Sequence, residues 1–296
     1  MRLNLGEVFM AAVVCAQLRA ALLLVLMSLL GGGAALASDL HVPDHELTLG
    51  VFPHLPPLEL ENVYAPIAAR LSDALGKKVH FRSSSSYEKF MQKLDEQAFD
   101  IVMVQPFDYV HIADKFGYSP VASRDEALAT IVVVPSDSPL ASLQDLKGKK
   151  VALPPAVAAV SLLLKAALKE QGLQPDTDVH LSYYRTHFSC LQQVVIGVAD
   201  ACGTAAPALR YFMDKTAANL KIIAETRKIP HALFAVNPNI SAEDKHKILQ
   251  TLEELSTTEE GRLLLQRGKL KPFKPVDDRA YDVVRDFQAL INQGNL

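Results

Sequence analysis

The strongest constraint in this sequence is an alternation of short β-rich runs and helical periods, broken twice by long extended segments. ELTLGVF at 46–52 reads as a strand and 62–75 as a helix ended by Gly76. A strand at 79–82 leads to a helix at 86–97, introduced by Ser85 and Glu88 in capping-box spacing. FDIVMV at 99–104 is a strand, and 107–116 a helix closed by Gly117. The rhythm then stops at ALATIVVVP, 127–135, a run too long for one tight unit. It resumes with strands at 150–153, 179–183, 199–203 and 220–224, and helices at 157–171, 188–196 and 206–215. A second extended run, IPHALFAV at 229–236, closes the series, and only helices are expected after it. Alternation of this kind gives mostly parallel sheets with helices on both faces. The simplest arrangement is a two-lobed α/β clamshell whose second unit is inserted into the first. Its lobes are then 38–134 plus 231–296 and 135–230, with the two extended runs paired as crossing hinge strands. Ligands of open α/β sheets sit beyond the carboxyl ends of the strands, where helix N-termini converge as donors for an anion.

Residues 1–37 stand apart from this pattern. Arg19, the apolar run AALLLVLMSLL at 20–30, three glycines and a final Ala-Leu-Ala form a secretory signal peptide with cleavage expected after Ala37. The alternative is an uncleaved anchor, although the run is short for a membrane span. The mature chain is expected to be exported. The formal net charge is −3 with no basic tract, which excludes nucleic acid as a natural partner. Tryptophan is absent, which argues against a surface that stacks on sugar rings. Two cysteines remain after export, Cys190 and Cys202, and they form either one disulfide or two buried thiols. No Ser/His/Asp order, glycine-rich phosphate loop or metal-ligand cluster stands out, so neither an enzyme nor a cofactor is expected.

Several stretches carry a family likeness: SSYEKF at 85–90, FDIVMVQPFDYV at 99–110, IVVVPSDSPLASLQDLKGKKVAL at 131–153 and THFSCLQQVVIGVADAC at 186–202. Through them the chain resembles, from about 47 to 239, the periplasmic substrate-binding proteins of phosphate, phosphite and phosphonate ABC importers, the PhnD-like family. The resemblance implies a type 2 periplasmic-binding-protein fold and a small oxyanion ligand. It also implies delivery to an ABC permease in the inner membrane; a monomer is expected. A sensory role, reporting ligand to a membrane histidine kinase, is the alternative. The family's cleft tyrosine, histidine and acid match Tyr87, His187 and Asp200. The family's hydroxyl-rich anion turn is replaced here by PPAVAAVS at 154–161, where only Ser161 keeps a hydroxyl. That leaves backbone amides as donors. It predicts weak binding of a phosphorus oxyanion, or a ligand with an apolar group over Ala156, Val157 and Ala158. Hydroxyls placed at Ala158 and Ala159 are expected to strengthen phosphonate binding.

Position adds further candidates. Ser85 and Ser86 open the second helix and share any ligand contact with capping. Gln105 and Tyr109 lie at the turn from strand to helix around Pro106, and His54 follows the first strand. His187 could donate a ring N–H to an anion or simply pack at its helix start. Asp200 could receive a ligand ammonium, or pair with Arg185 or Lys215.

Overall fold

The computed structural model describes residues 46–293. The expected signal peptide and its cleavage point lie outside the described residues. The chain opens with β1 (Leu47–Val51), α1 (Pro57–Leu75), β2 (Val79–Arg82), α2 (Tyr87–Asp95), β3 (Ile101–Val104), α3 (Pro106–Phe116) and β4 (Ser119–Arg124). Helix α1 starts at a proline, which needs no N–H there, and stops at Gly76, whose φ of 64° admits glycine best. Its buried Leu60, Val63, Tyr64, Ile67 and Leu71 recur at helical spacing and form the stripe that faces the sheet.

Next come β5 (Ala127–Leu128), β6 (Ile131–Pro135), β7 (Lys150–Leu153), α4 (Ala159–Glu170), β8 (His180–Tyr183), α5 (His187–Val195), β9 (Ala201–Thr204), α6 (Ala206–Thr216) and β10 (Leu220–Glu225). The chain then returns through β11 (Ile229–Pro230) and β12 (Leu233–Val236) to α7 (Ala242–Glu254), α8 (Glu259–Arg267), β13 (Phe273–Pro275) and α9 (Asp282–Asn292). One sheet has six strands in the order β13-β4-β12-β3-β1-β2; the other has five, β10-β6-β9-β7-β8. Within each, the strands that precede crossover helices run parallel, as β1 does to β2 and β3, and β7 to β8 and β9. The second sheet is inserted in the chain between β4 and β12 of the first, giving two lobes.

The two extended runs do cross as a pair, but only over β5 and β11, where Leu128 faces Ile229 and Ala127 faces Pro230. Beyond that contact they part. β6 joins the five-stranded sheet between β10 and β9, and β12 enters the six-stranded sheet between β4 and β3. Each run is long enough to serve both the crossing and a sheet. Ile131–Val134 thus lie in the five-stranded sheet. The expected all-helical ending also needs correction: Phe273–Pro275 pairs with β4 as an edge strand. Its three residues carry no period long enough to register in the sequence.

Strand alternation divides the core cleanly. Ile101 and Met103 pack beneath α1, α7 and α8, whereas Val102 and Val104 pack with α2, α3 and α9 on the other face. In the second sheet Ile131 and Val133 join the α5 and α6 side, Val132 and Val134 the α4 side. Cys190 and Cys202 are both fully buried in that α5 and α6 layer and are joined by a disulfide. A bridge across a sequence separation of 12 restricts the unfolded chain, contributing about 2–4 kcal/mol. The pair sits in the core of its lobe, with Cys202 inside β9.

Candidate functional site

The carboxyl ends of the parallel strands in both sheets open onto one cavity of about 400 Å³. The loop after β1 brings Phe52, Pro53 and His54, and the turn after β3 brings Gln105. From the second sheet come Pro154–Val160 after β7, and Arg185, Thr186 and His187 after β8. The crossing region adds Arg124 and His231.

Arg124 is the charged centre of this cavity. Its Nη2 forms an ion pair with Glu126 and donates to the Lys269 carbonyl at 3.2 Å. Its Nε is buried and has no hydrogen-bond partner. Two imidazoles flank it. Burial pushes His54 down to about 4 and His231 to about 3, and the Arg124 charge adds to both depressions. Both rings are therefore neutral at pH 7 and supply donors without a second charge. His54 is fixed through Nδ1, 3.0 Å from the Phe52 carbonyl, and Nε2, 3.3 Å from the Tyr64 hydroxyl.

The hydroxyl-free turn receives an unexpected partner. Helix α4 begins at Ala159 with Ala158 as its N-cap, which offers no side-chain cap. The Ala159 amide instead donates to Gln105 Oε1 at 3.0 Å. Gln105 Nε2 donates to the Tyr87 oxygen at 3.0 Å, and the Tyr87 hydroxyl donates to Asp108 Oδ1. One chain of hydrogen bonds thus runs from the second sheet's helix to a carboxyl on α3. Asp108 is 7% exposed, and its Oδ2 is buried without a partner. Burial raises its pKa to about 7, against the lowering effect of its hydrogen bonds.

Residues 49–281 match a family model described as "ABC transporter, phosphonate, periplasmic substrate-binding protein". The chain belongs to this family. Among solved structures, PhnD1 from Prochlorococcus marinus, in complex with methylphosphonate, aligns with a TM-score of 0.70 at 15% identity, covering 83% of this chain and 98% of that one. A Xanthomonas citri protein solved bound to ATP gives 0.70 at 16% identity, over 83% and 97%. A binding protein component of an ABC phosphonate transporter from Pseudomonas aeruginosa gives 0.66 at 15%, over 84% and 89%. These likenesses carry the type 2 periplasmic-binding-protein fold.

Within this phosphonate-binding family member, the residues proposed from sequence separate into three groups. Tyr87, Gln105, His187 and His54 all line the cavity. His187 Nδ1 lies 2.8 Å from Thr204 Oγ1, and burial lowers its pKa. Ser85 lines an adjoining groove, and Ser86 caps α2 by accepting from the Lys89 amide at 3.3 Å. Tyr109 and Asp200 are elsewhere. Tyr109 is wholly buried and donates to Asp278 at 2.5 Å, because it projects from α3 toward the C-terminal segment. Asp200 is exposed at the amino end of its sheet, the end opposite the cleft. It accepts from the Lys150 amide at 2.8 Å, as Asp100 accepts from the Thr48 amide at 2.8 Å in the first sheet. A residue that precedes a parallel strand cannot reach a site beyond the strand's carboxyl end. Ser161 is also structural, donating to the Pro154 carbonyl at 3.2 Å. Arg124 and His231 were not singled out from sequence. His231 sits within the extended run 229–236 and Arg124 in a stretch to which the sequence assigned no element; the pairing of β4 with β12 brings them together.

Proposed function

We propose that this chain captures a small phosphorus oxyanion carrying an apolar substituent and presents it to an inner-membrane ABC permease. The observation that carries this reading is the half-buried guanidinium of Arg124, with its Nε unpartnered, in a cavity whose histidines are neutral. Arg124 among neutral donors suits one anionic head group, while Arg185 lies where this cavity adjoins the outer groove. The wall opposite is Val157, Ala158 and the two prolines, which accept hydrocarbon rather than further oxygens. Tyr87, Gln105, His54, His187 and the amide end of α4 complete the proposed set. In this reading an oxyanion competes with the Gln105 carbonyl for the Ala159 N–H. The lobes would be 46–126 plus 231–293 and 131–226, hinged at β5 and β11, with residues 1–37 removed on export to the periplasm.

Isothermal calorimetry with phosphate, phosphite, methylphosphonate and propylphosphonate tests the reading. Propylphosphonate is expected to bind most tightly. Arg124→Gln is expected to weaken it at least tenfold, about 1.4 kcal/mol, while circular dichroism reports a retained fold. Unchanged affinity in Arg124→Gln, or binding of none of the four anions, would sink the proposal.

A further inference from the structure

The cleft continues outward into a second cavity of about 870 Å³, with which it shares Pro53, His54, Arg185 and Thr186. We infer that this outer groove is a second anion subsite, recognising a further acidic group at the far end of the ligand. The inference rests on the oxyanion reading of the inner cleft.

Corresponding loops of the two sheets form its walls. Arg82 ends β2, the edge strand of one sheet, and Ser83, Ser84 and Ser85 follow it; Arg185 and Thr186 follow β8, the edge strand of the other. Both loops leave the carboxyl ends of their strands, so each sheet contributes one guanidinium. Neither has a carboxylate partner among the described residues, in contrast to Arg124. Among the described residues the Arg82 side chain makes one hydrogen bond, from Nη1 to the carbonyl of its own neighbour Phe81 at 3.1 Å. Ser84 Oγ is buried and has no hydrogen-bond partner. The groove holds one carboxylate, Glu61, against the two arginines.

Two unpaired cations on facing loops repel one another and oppose approach of the sheets. An anionic group between them reverses the sign of that interaction and forms charge-assisted bonds on both sides. Arg124 holds the head group and the proline-alanine wall accepts a short chain. The outer pair then reads what the chain ends in. The ligand class is a phosphonate bearing a second acid, such as a carboxylate, on a short alkyl chain.

Phosphonopropionate and propylphosphonate have the same carbon chain and differ in the terminal carboxylate, so calorimetry on the pair isolates the outer groove. In the wild-type protein phosphonopropionate is expected to bind at least tenfold tighter, with the advantage shrinking as salt is raised. In the double variant Arg82→Gln, Arg185→Gln the gap between the two ligands is expected to close. Equal wild-type affinities, or a gap that persists in the double variant, would overturn the outer subsite while leaving the inner oxyanion reading in place. Failure of both ligands to bind would overturn the inner reading and the subsite with it.

Discussion

At the scale of single residues, Asp108 ties the proposed site to stability. Its pKa of about 7 in the fold lies above the ordinary 3.8, so the folded chain binds more protons than the unfolded chain between those values. Its contribution is therefore full below about pH 4 and is lost as pH rises through 7. Asp108→Asn keeps an acceptor for Tyr87 and removes the titration. Thermal melts from pH 4 to 8 are expected to show the wild type losing stability relative to this variant, by up to about 4 kcal/mol across the range. Parallel pH profiles for the two proteins would show that Asp108 does not titrate in this window. The histidines act with the opposite sign, since stability from neutral His54 and His231 fades as pH falls from 6.5 through about 4 and 3. What sequence could reveal at this scale followed strand ends. His54, Tyr87, Gln105 and His187 lie in the turns or first helical residues after strands and were legible as positions on the cavity; His231, inside an extended run, and Arg124, in a stretch assigned no element, were not. Tyr109 failed because position after a strand does not say which way round a helix a side chain points. Asp200 was read as part of a strand over 199–203, whereas β9 begins at Ala201 and leaves Asp200 just before it, at the end opposite the cleft.

At the scale of elements, the two sheets use one local device twice. Ser86 opens α2 and Thr186 opens α5 as side-chain caps, and each is followed by a residue of the cleft, Tyr87 or His187. Asp100 and Asp200 then tie the next strand to its neighbour's backbone. The serine run was visible in sequence as a cap, although the box was read at Ser85 and the cap is Ser86, whereas the Thr186 cap was not singled out. Helix α4 departs from the pattern, because Ala158 stands at its N-cap with extended φ and ψ of −67° and 138°. The expected gain from hydroxyls must be restricted to this position, since Ala159 is 3% exposed and packs in the core beside Phe107. Ala158→Ser can accept from the first-turn amides and is expected to stabilise the protein by about 1 kcal/mol. The same hydroxyl lies on the cavity wall and is expected to tighten phosphonate binding, because it adds a donor beside the Ala159 amide. Calorimetry and chemical denaturation read the two effects separately. A variant that is neither more stable nor tighter in binding would show that the turn does not use a cap.

At the scale of the whole molecule, the insertion of one α/β unit into another was legible because two long extended runs interrupt a strict alternation. Their division of labour was not, since nothing in ALATIVVVP marks where a two-residue crossing ends and a sheet strand begins. Packing between the sheets was likewise hidden, and it bears on closure. Ala159, Leu163 and Ala166 of α4 share a core cluster with Val284 and Phe287 of α9. At the far end of α4, Lys169 Nζ donates to the carbonyls of Leu290 at 3.1 Å and Ile291 at 2.7 Å. A cation there satisfies carbonyls that a helix C-terminus leaves open and complements its dipole. Arg227 continues the seam, pairing with Glu170 at 2.6 Å and lying 4.4 Å over the Phe287 ring. Opening of the clamshell at β5 and β11 must slide or part this seam, so Lys169 restrains the open form. Lys169→Met keeps the apolar stem and removes the donors. Small-angle scattering is expected to show a larger radius of gyration for this variant than for the wild type without ligand. Saturating propylphosphonate is expected to return both to the same compact value. Identical ligand-free scattering from the two proteins would place the seam inside one rigid body and leave hinge motion to the crossing strands alone.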